Sequence, residues 1–487
     1  MNYQRTVLIL TVFVFLLKWI TGCAVNPATG QSDFVLMTEE QEIAIGRDEN
    51  KKVLQYYSAY KDKALQDYVQ KVGDDVANKS HRNNLVYRFT VLDSNEVNAF
   101  ALPGGYIYIT RGLMAYLNSE AELAAVLGHE IGHVTARHAV RQHSAATATG
   151  LLGTILSAAT GVQGTGDLFN VLGTALVRGY GRDHELESDR LGAEYLARTG
   201  YDPQAMFNVI RVLKNQEEFE TKLAKTENRE PRIYHGVFST HPDNDTRLKE
   251  VVDSAKSLKA NGVKTNKQLY LDKTNGLVFG HSEEQGILRE NHFYHKELGI
   301  ALDLPEGWRV INQPDALVAH TANNDAFIHM TMQDLNKRIT PREFMEQRLK
   351  LTGIVEGKEI TVNGNKGYTG LATLKTGFGS RQGRVSVIYF NNNAFIFAGA
   401  SKDANAPRQY DNVIMKSVNS FHALTSAEMK YASALRLKLV KVNGNTRFEK
   451  LAKSSRLTNY AEDQLRLLNS YYPSGEPDTG SYIKIVE

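Results

Sequence analysis

The stretch GHEIGHVTARH, from Gly128 to His138, places two histidines four residues apart with a glutamate directly after the first. Residues four apart lie on one face of a helix, so His129 and His133 can bind the same metal ion. Glu130 lies beside them, where its carboxylate can take the proton of a zinc-bound water without binding the metal itself. This His-Glu-x-x-His pattern predicts a helix that binds one Zn2+ per chain, with a third protein ligand from elsewhere in the sequence.

The residues after the motif exclude one class of zinc protease, the metzincins. A metzincin would have a glycine at 136 and a histidine at 139, whereas this chain has Ala136 and Ala139. The run from Ser119 to Ser144 contains no proline, and Ser119 and Glu122 have the spacing of a capping box. We therefore predict one uninterrupted helix over this run, with both histidines in its middle.

An acidic stretch farther along the chain, DHELESD from Asp183 to Asp189, offers candidates for the third ligand. It begins a predicted helix that ends at Gly200, where a glycine C-cap is expected. Glu185 and Asp189 are four apart and share a face, so one could bind the metal while the other accepts a hydrogen bond from a histidine ring. Spacing alone does not choose among the candidates, which are Asp183, His184, Glu185, Glu187 and Asp189.

Composition and charge indicate a folded protein of several domains. The chain has 487 residues, of which 42% are hydrophobic and 23% charged, and a length of this size corresponds to about three domains. The formal net charge is only +3. A charge so close to balance provides no field that would favour nucleic acid, so we expect no nucleic-acid partner.

The N-terminus has the pattern of an exported, lipidated chain. A short basic start precedes an apolar run at residues 6–17, which is too short for the roughly 20 residues of a membrane-spanning helix. The sequence Ile20-Thr21-Gly22-Cys23 resembles the bacterial lipobox and contains the only cysteine of the chain. This pattern predicts a signal peptide at 1–22, lipidation of Cys23 and a linker over 23–37. Ala24 after the cysteine resembles an outer-membrane sorting signal.

The order of helical and strand patterns predicts an α+β fold class. Helical periods with a small β-rich segment predict a zincin-like, mainly helical protease domain over 38–260, followed by a linker over 261–290. Alternating strands with two helices predict an α+β accessory domain over 291–424. A β-α-α-β pattern predicts a small final unit over 435–487.

Four segments resemble the gluzincin family of the CAAX prenyl protease and heat-shock protease HtpX type. They are GHEIGHVTARH, ELESD, NAFALPGGYIYITRGL and STHPDNDTRL, which together cover about residues 32–259. The lipobox and the lack of multispanning segments resemble its soluble periplasmic branch, of the BepA/LoiP type. The resemblance implies that Glu185 is the third zinc ligand and that Asp189 orients a histidine. It also implies that His241 can reach the zinc as a fourth ligand, which closes the site until its loop moves.

The same resemblance implies a substrate cleft beside the zinc. The cleft would be lined by the segment NAFALPGG, and its candidate residues are Asn98, Ala99, Phe100, Gly104 and Gly105. The strand YIYIT that follows is expected to form a sheet edge that could pair with an extended substrate. A polar donor such as Arg247 or His241 would suit stabilisation of the tetrahedral oxyanion.

The final unit resembles a divergent LysM module, a fold that binds N-acetylglucosamine polymers. Its segment Asn443-Gly444-Asn445-Thr446 replaces the usual glycine-aspartate-threonine start, so a docking or lid role is the alternative to sugar binding. Contact with peptidoglycan or with an assembly machinery is therefore expected through the C-terminal units.

The function implied by these features is that of a zinc endopeptidase anchored to the periplasmic face of the bacterial outer membrane. By the resemblance, its substrates would be misfolded or stalled envelope proteins. The alternative is a chaperone-like or peptidoglycan-tethered assembly factor whose metal site is normally closed.

Overall fold

The computed structural model describes residues 23–145, 181–227, 229, 231, 247, 263–313, 315–457 and 459–487. The chain divides into two compact units, one formed by residues up to Leu277 together with Arg436–Glu487, and one formed by Val278–Leu435. Helices and several small sheets are both present, which confirms the predicted α+β class. Within the described residues, no helix combines the length and the apolar character needed to cross a lipid bilayer.

The first unit combines helices with a small hairpin and a three-stranded sheet. Its first helix begins with a capping box, in which Thr38 and Gln41 exchange both hydrogen bonds. Its elements up to the start of the second unit are β1 (Cys23–Val25), β2 (Ser32–Phe34), α1 (Glu39–Tyr56), α2 (Lys63–Ala77), β3 (Arg88–Leu92), β4 (Ala99–Leu102), β5 (Tyr106–Thr110), α3 (Arg111–Tyr116), α4 (Glu120–Thr135), α5 (Arg182–Thr199), α6 (Gln204–Thr226) and α7 (Lys267–Thr274).

The strand order of the three-stranded sheet is β3-β5-β4. β5, which is YIYIT, pairs with β3 in parallel and with β4 in antiparallel fashion, and all five of its residues are buried. The prediction that YIYIT forms a sheet edge is therefore wrong, because β3 covers its other side. The two edge strands of this sheet are β3 and β4. Gly105 in the β4–β5 turn has φ 89°, and a Cβ there would lie 2.8 Å from the Val86 carbonyl oxygen, so the turn requires a glycine.

Helix α4 carries the histidine motif and is shorter than expected. The Ser119 hydroxyl accepts a hydrogen bond from the Glu122 backbone N–H, but the Glu122 carboxylate accepts from Asn118 instead of Ser119, so only half of the predicted capping box forms. α4 ends at Thr135, Arg137 has φ 55°, and a second helical segment covers 138–145. The prediction of one uninterrupted helix is wrong, and the motif lies in the last two turns of α4.

Contacts of Arg137 with distant residues explain the break. Its Nε donates to the Glu42 carboxylate at 2.9 Å, and its Nη2 donates to the Met37 carbonyl at 3.2 Å. Glu42 is itself paired with Arg82 at 2.8 Å, and all these groups are at least half buried. The left-handed conformation costs a non-glycine residue about 1–3 kcal/mol. The hydrogen bonds of Arg137 to Glu42 and Met37 offset this cost and hold the residue in that conformation.

The second unit is rich in strands. It contains one antiparallel sheet of seven strands and a second sheet of four strands. Phe395, Phe397 and Phe421 lie in the main hydrophobic core. The elements are β6 (Val278–Phe279), β7 (Ile287–Arg289), β8 (His292–His295), β9 (Ile300–Asp303), β10 (Arg309–Asn312), β11 (Ala316–His320), β12 (Ala326–Asp334), α8 (Pro341–Glu343) running into a π-helical turn (Phe344–Arg348), β13 (Val355–Val362), β14 (Asn365–Thr376), β15 (Gly379–Phe390), β16 (Asn393–Ser401), α9 (Asp411–Ser420) and β17 (His422–Ala423). The seven-stranded sheet has the order β10-β11-β12-β16-β15-β14-β13, and the four-stranded sheet has the order β17-β9-β8-β7.

The C-terminal part of the first unit has the β-α-α-β order expected from its sequence. It consists of β18 (Leu435–Lys441), α10 (Phe448–Ser454), α11 (Ala461–Leu468) and β19 (Tyr482–Val486), with β18 and β19 antiparallel. Lys484 is 1% exposed, and its Nζ donates to the carbonyls of Ala115 and Leu117, at 2.5 and 2.7 Å, just before α4. This segment therefore packs against the residues that immediately precede α4, while its resemblance to LysM stays a prediction.

Candidate metal centre

The packing of α4 against α5 brings the predicted ligands together. A Cβ on Gly132 would lie 3.0 Å from the Ser188 Cα, and one on Gly192 would lie 3.0 Å from the His129 backbone nitrogen. Small residues at these positions let the two helix backbones approach closely. α5 also ends at Gly200 in the left-handed conformation, as its sequence predicts.

Glu185 on α5 faces both histidines of the motif. The Nε2 atoms of His129 and His133 are 3.0 Å apart, and the Glu185 carboxylate oxygens lie 3.5 Å from the first and 3.6 Å from the second. All three side chains are buried. Each residue thus offers one donor atom to the same small volume.

These distances fit one zinc ion. Tetrahedral zinc with ligand bonds of about 2.0–2.2 Å holds neighbouring donor atoms roughly 3.3–3.5 Å apart, close to the 3.0, 3.5 and 3.6 Å found here. Two imidazole nitrogens and one carboxylate are also the donor set of many catalytic zinc sites, which keep one position for water. The donor geometry and the donor chemistry therefore agree.

The other residues of the acidic stretch occupy different positions. Asp183 is exposed, and Glu187 faces the second helical segment. His184 stacks on His138 with the ring centroids 4.2 Å apart. Of the five candidates that spacing left open, only Glu185 contributes to the three-ligand cluster that the described residues form.

Asp189 supports His129 directly. Its Oδ1 lies 2.8 Å from His129 Nδ1, and Arg247 donates from Nε and Nη2 to its two oxygens, both at 2.7 Å. Burial raises the pKa of Asp189, but the Arg247 guanidinium and His129 together outweigh burial and keep that pKa below its ordinary value. Burial lowers the pKa of His129, whereas hydrogen bonds to Asp189 and Glu185 raise it overall to about 9 in the metal-free chain.

His133 is supported through a second histidine, His138. The Nδ1 atoms of the two rings are 2.9 Å apart, and His138 Nε2 lies 3.0 Å from the Glu187 carboxylate, which also accepts from Arg141 at 3.1 Å. Burial lowers the pKa of His138. Burial raises the pKa of Glu187, but His138 and Arg141 lower it overall to about 2, so this carboxylate is ionised near neutral pH.

Glu130 lies beside the metal ligands and next to a small cavity. The cavity has a volume of about 20 Å3 and is lined by Glu130, His129 and Arg247, with Ala99 and Met206 among its apolar walls. A volume of this size admits one water molecule. Glu130 is 1% exposed. The carboxylate is thus placed where it can act on a water next to the ligand set.

Only part of the predicted cleft segment lies beside the metal site. Ala99 borders the cavity at Glu130, and Ala101 to Pro103 border a second small cavity beside His133, so β4 runs along α4. Phe100 instead stacks on Tyr108 at 4.8 Å. The backbone of Asn98 is hydrogen-bonded to Thr110. The candidate cleft glycines, Gly104 and Gly105, lie in the turn after β4.

The structure describes little of two residues for which the sequence predicts a function. His241 lies outside the described residues. Cys23 begins β1, and only its backbone is described. Their predicted roles as inhibitory ligand and lipidation site stay predictions. Sequence reasoning also missed that His138 and Glu187 act together, although both stand inside the two quoted motifs.

Comparisons with known proteins agree with this site. Residues 63–255 match peptidase family M48. The chain is 28% identical to the beta-barrel assembly-enhancing protease of Yersinia pestis over 273 residues, which cover 54% of each protein. It is 32% identical to the protein of that name from Escherichia coli (strain K12) over 225 residues, which cover 44% of each protein.

A third relative, which matches over a shorter stretch, carries a related name. The mitochondrial metalloendopeptidase OMA1 of Arabidopsis thaliana is 33% identical over 135 residues, which cover 28% of this chain and 27% of that protein. The chain thus spans about half the length of the bacterial relatives it matches. The matched region contains the whole ligand set, His129, His133 and Glu185, together with Glu130. Residues 63–255 thus match the domain of peptidase family M48, and the beta-barrel assembly-enhancing proteases are among the proteins that the chain resembles.

Proposed function

We propose that this protein is a zinc-dependent endopeptidase. The observation that carries the proposal is the buried cluster of His129, His133 and Glu185, whose donor atoms lie within 4.8 Å of one another. The match of residues 63–255 to peptidase family M48 supports peptide bonds as the substrate class. The name metalloendopeptidase, given to the relative from Arabidopsis thaliana, supports internal cleavage of a chain.

In this proposal His129, His133 and Glu185 would hold one Zn2+, which would act as a Lewis acid and make a water molecule easier to deprotonate. The Glu130 carboxylate would accept a proton from a water whose oxygen attacks the peptide carbonyl carbon, and would pass that proton to the amine that departs when the C–N bond breaks. The cavity beside Glu130 has room for the water. The neighbouring apolar walls limit access of other water molecules, which strengthens electrostatic interactions within the site.

Asp189 and Arg247 act on the ligands in this proposal. Asp189 accepts from His129 Nδ1, which leaves Nε2 with its lone pair toward the metal. Arg247 uses Nε and Nη2 on Asp189, and its Nη1 lies 3.4 Å from Glu185. These contacts support a positioning role for Arg247, and the predicted contribution to the oxyanion stays a prediction.

An extended substrate segment would lie along β4. β4 is an edge strand of the described sheet and borders both Glu130 and His133 through its neighbouring cavities. Edge strands can pair with an extended chain through backbone hydrogen bonds. This arrangement would place a peptide carbonyl beside the ligand set, with β4 instead of β5 as the pairing strand.

We further propose that the enzyme acts on misfolded or stalled proteins of the bacterial envelope. The support comes from the names of the bacterial relatives, which refer to assembly of β-barrels, and from the lipobox-like segment that ends at Cys23. Lipidation there would anchor the chain to the outer membrane on its periplasmic side. The C-terminal units would contact peptidoglycan or an assembly machinery.

A second candidate is a chaperone-like or peptidoglycan-tethered assembly factor with a normally closed metal site. The burial of the site favours it, since His129 is 5% exposed and Glu185 is fully buried. Under this alternative His241 would occupy the remaining zinc position. The two candidates differ in whether the chemistry of Glu130 is needed for function.

The Glu130→Gln variant tests the proposal. A carboxamide cannot accept the proton, so we expect casein cleavage by the purified protein to fall by about 10²–10⁴-fold. Zinc content, measured by mass spectrometry, should remain at one ion per chain. Glu194→Gln, a half-exposed glutamate on α5, serves as the matched control and should cleave normally. Undiminished cleavage by Glu130→Gln would remove the protease proposal, and envelope function that survives loss of cleavage would support the assembly factor.

A further inference from the structure

The side chain of His138 lies next to a proposed metal ligand, outside the ligand set itself. It is fully buried and belongs to the helical segment that begins after the break at Arg137. In an uninterrupted helix, five residues correspond to 500°, so His138 would lie about 140° away from His133 around the axis. The break instead brings the Nδ1 atoms of the two rings within 2.9 Å of each other.

The proposed metal site determines the direction of this hydrogen bond. A metal-binding imidazole uses the lone pair of one nitrogen and carries its proton on the other. The Nε2 of His133 faces Glu185 and the Nε2 of His129, so its proton must be on Nδ1. His133 therefore donates to His138, and His138 Nδ1 must be the acceptor.

The tautomer of His138 follows from its acceptor role. If Nδ1 accepts, the proton of the neutral ring is on Nε2. That nitrogen lies 3.0 Å from the Glu187 carboxylate, an acceptor that is also bound by Arg141. The Ser188 hydroxyl lies farther from Nδ1, at 3.4 Å. The hydrogen bonds from His133 to His138 and from His138 to Glu187 thus each have one donor and one acceptor, and only one set of tautomers satisfies both.

We propose that His138 is a positioning residue for His133, and that Glu187 and Arg141 hold His138 in the tautomer that accepts from it. The inference rests on the proposed zinc site. Carboxylates and carbonyls commonly fix metal-binding histidines, and their loss costs about 10–100-fold in metal affinity. Here the neutral imidazole of His138 takes the place of the carboxylate beside His133, and Glu187 in turn fixes His138.

The ring of His138 also has a structural contact that the test must preserve. It stacks on His184 with the rings 17° from parallel. His138→Phe keeps an aromatic ring for this stacking but removes both nitrogens. His138→Asn can place Oδ1 near the position of Nδ1, so it keeps an acceptor for His133 and loses the contact with Glu187. Glu187→Gln keeps an acceptor for His138 and removes the charge.

The decisive measurement is the zinc dissociation constant, determined by competition with a chromophoric chelator. We expect it to rise about 10–100-fold in His138→Phe, with His138→Asn and Glu187→Gln between this variant and the parent. Visible absorption of the Co2+-substituted proteins should change in the same order, because the ligand field senses the orientation of His133. His81→Phe is the matched control, since His81 contacts Tyr195 on α5, and it should bind zinc like the parent.

The outcomes separate this inference from the zinc site itself. If the parent protein binds no stoichiometric zinc, the proposed metal centre fails. If the parent binds zinc and His138→Phe binds it equally tightly, with an unchanged Co2+ spectrum, only the positioning role is overturned. Thermal unfolding of the metal-free proteins shows whether His138→Phe remains folded. If it does not fold, parent-like affinity and spectra in both His138→Asn and Glu187→Gln overturn the inference.

Discussion

The two histidines of the motif are supported in different ways. His129 contacts a carboxylate directly, and that carboxylate is fully buried together with the guanidinium that balances it. His133 contacts a neutral imidazole, which connects it to a carboxylate that is 16% exposed. The first arrangement places full charges beside the ligand, whereas the second moves them about one ring farther away. Residues on the same helix face can therefore differ strongly in their electrostatic environment.

The largest difference is expected when each carboxylate is removed. Asp189→Ala leaves Arg247 buried without its closest carboxylate, which should cost about 3–5 kcal/mol of unfolding free energy. Glu187→Ala should cost about 1 kcal/mol, because solvent can reach Arg141. Denaturant unfolding of the metal-free proteins measures both values. Equal losses would show that the two arrangements do not differ as described.

A smaller effect is expected from pH. The raised pKa of His129 means that the folded metal-free chain keeps a proton up to about pH 9 that the unfolded chain releases near 6.5. This stabilisation is fully present below pH 6.5 and is lost as the pH rises through 9, a change of about 3 kcal/mol. Zinc affinity should change in the opposite direction over this window, because zinc displaces the proton.

Asp189→Asn is the comparison that tests the pH effect. It removes the charge that raises the pKa of His129, so the pH dependence of both stability and zinc affinity should move toward pH 6.5. Unfolding at a series of pH values, with and without a chelator, measures the change. A pH profile identical to that of the parent would contradict the role assigned to Asp189.

The smallest effect is expected at the residue farthest from the metal site in the series of contacts that runs from His133 through His138 and Glu187 to Arg141. Asp33 in β2 lies 3.4 Å from Arg141, which in turn contacts Glu187. Asp33→Asn should lower the unfolding free energy by less than about 1 kcal/mol and leave zinc affinity within about threefold of the parent. Chelator competition measures the affinity. A tenfold loss would show that the arrangement depends on β2 much more than its geometry indicates.

The sequence predicted the ligand helix and both of its histidines, because a four-residue spacing has a direct geometric meaning. It left the third ligand open, since several acidic residues of α5 were compatible with the pattern. The close packing of Gly132 and Gly192 against the facing helix backbones brings Glu185, alone of those residues, into the ligand cluster. Such packing depends on tertiary structure and is not visible in the spacing of charged residues.

Two wrong predictions have a common physical origin. The strand YIYIT is central because β3 pairs with it, and β3 lies earlier in the chain. The helix ends at Thr135 because Arg137 contacts Glu42, nearly a hundred residues away in sequence. Local patterns describe which face of an element is apolar, but long-range pairing decides where an element ends and what covers it.

The contact of Lys484 has a consequence for the order in which the protein can fold during synthesis. Its ammonium group donates to carbonyls just before α4, yet Lys484 follows all of the second unit in sequence. The first unit therefore cannot complete its packing until the second unit has been synthesised, although domains usually fold in order from the N-terminus. Through this contact, completion of the fold around the metal-binding helix is delayed until nearly the whole described chain has been made.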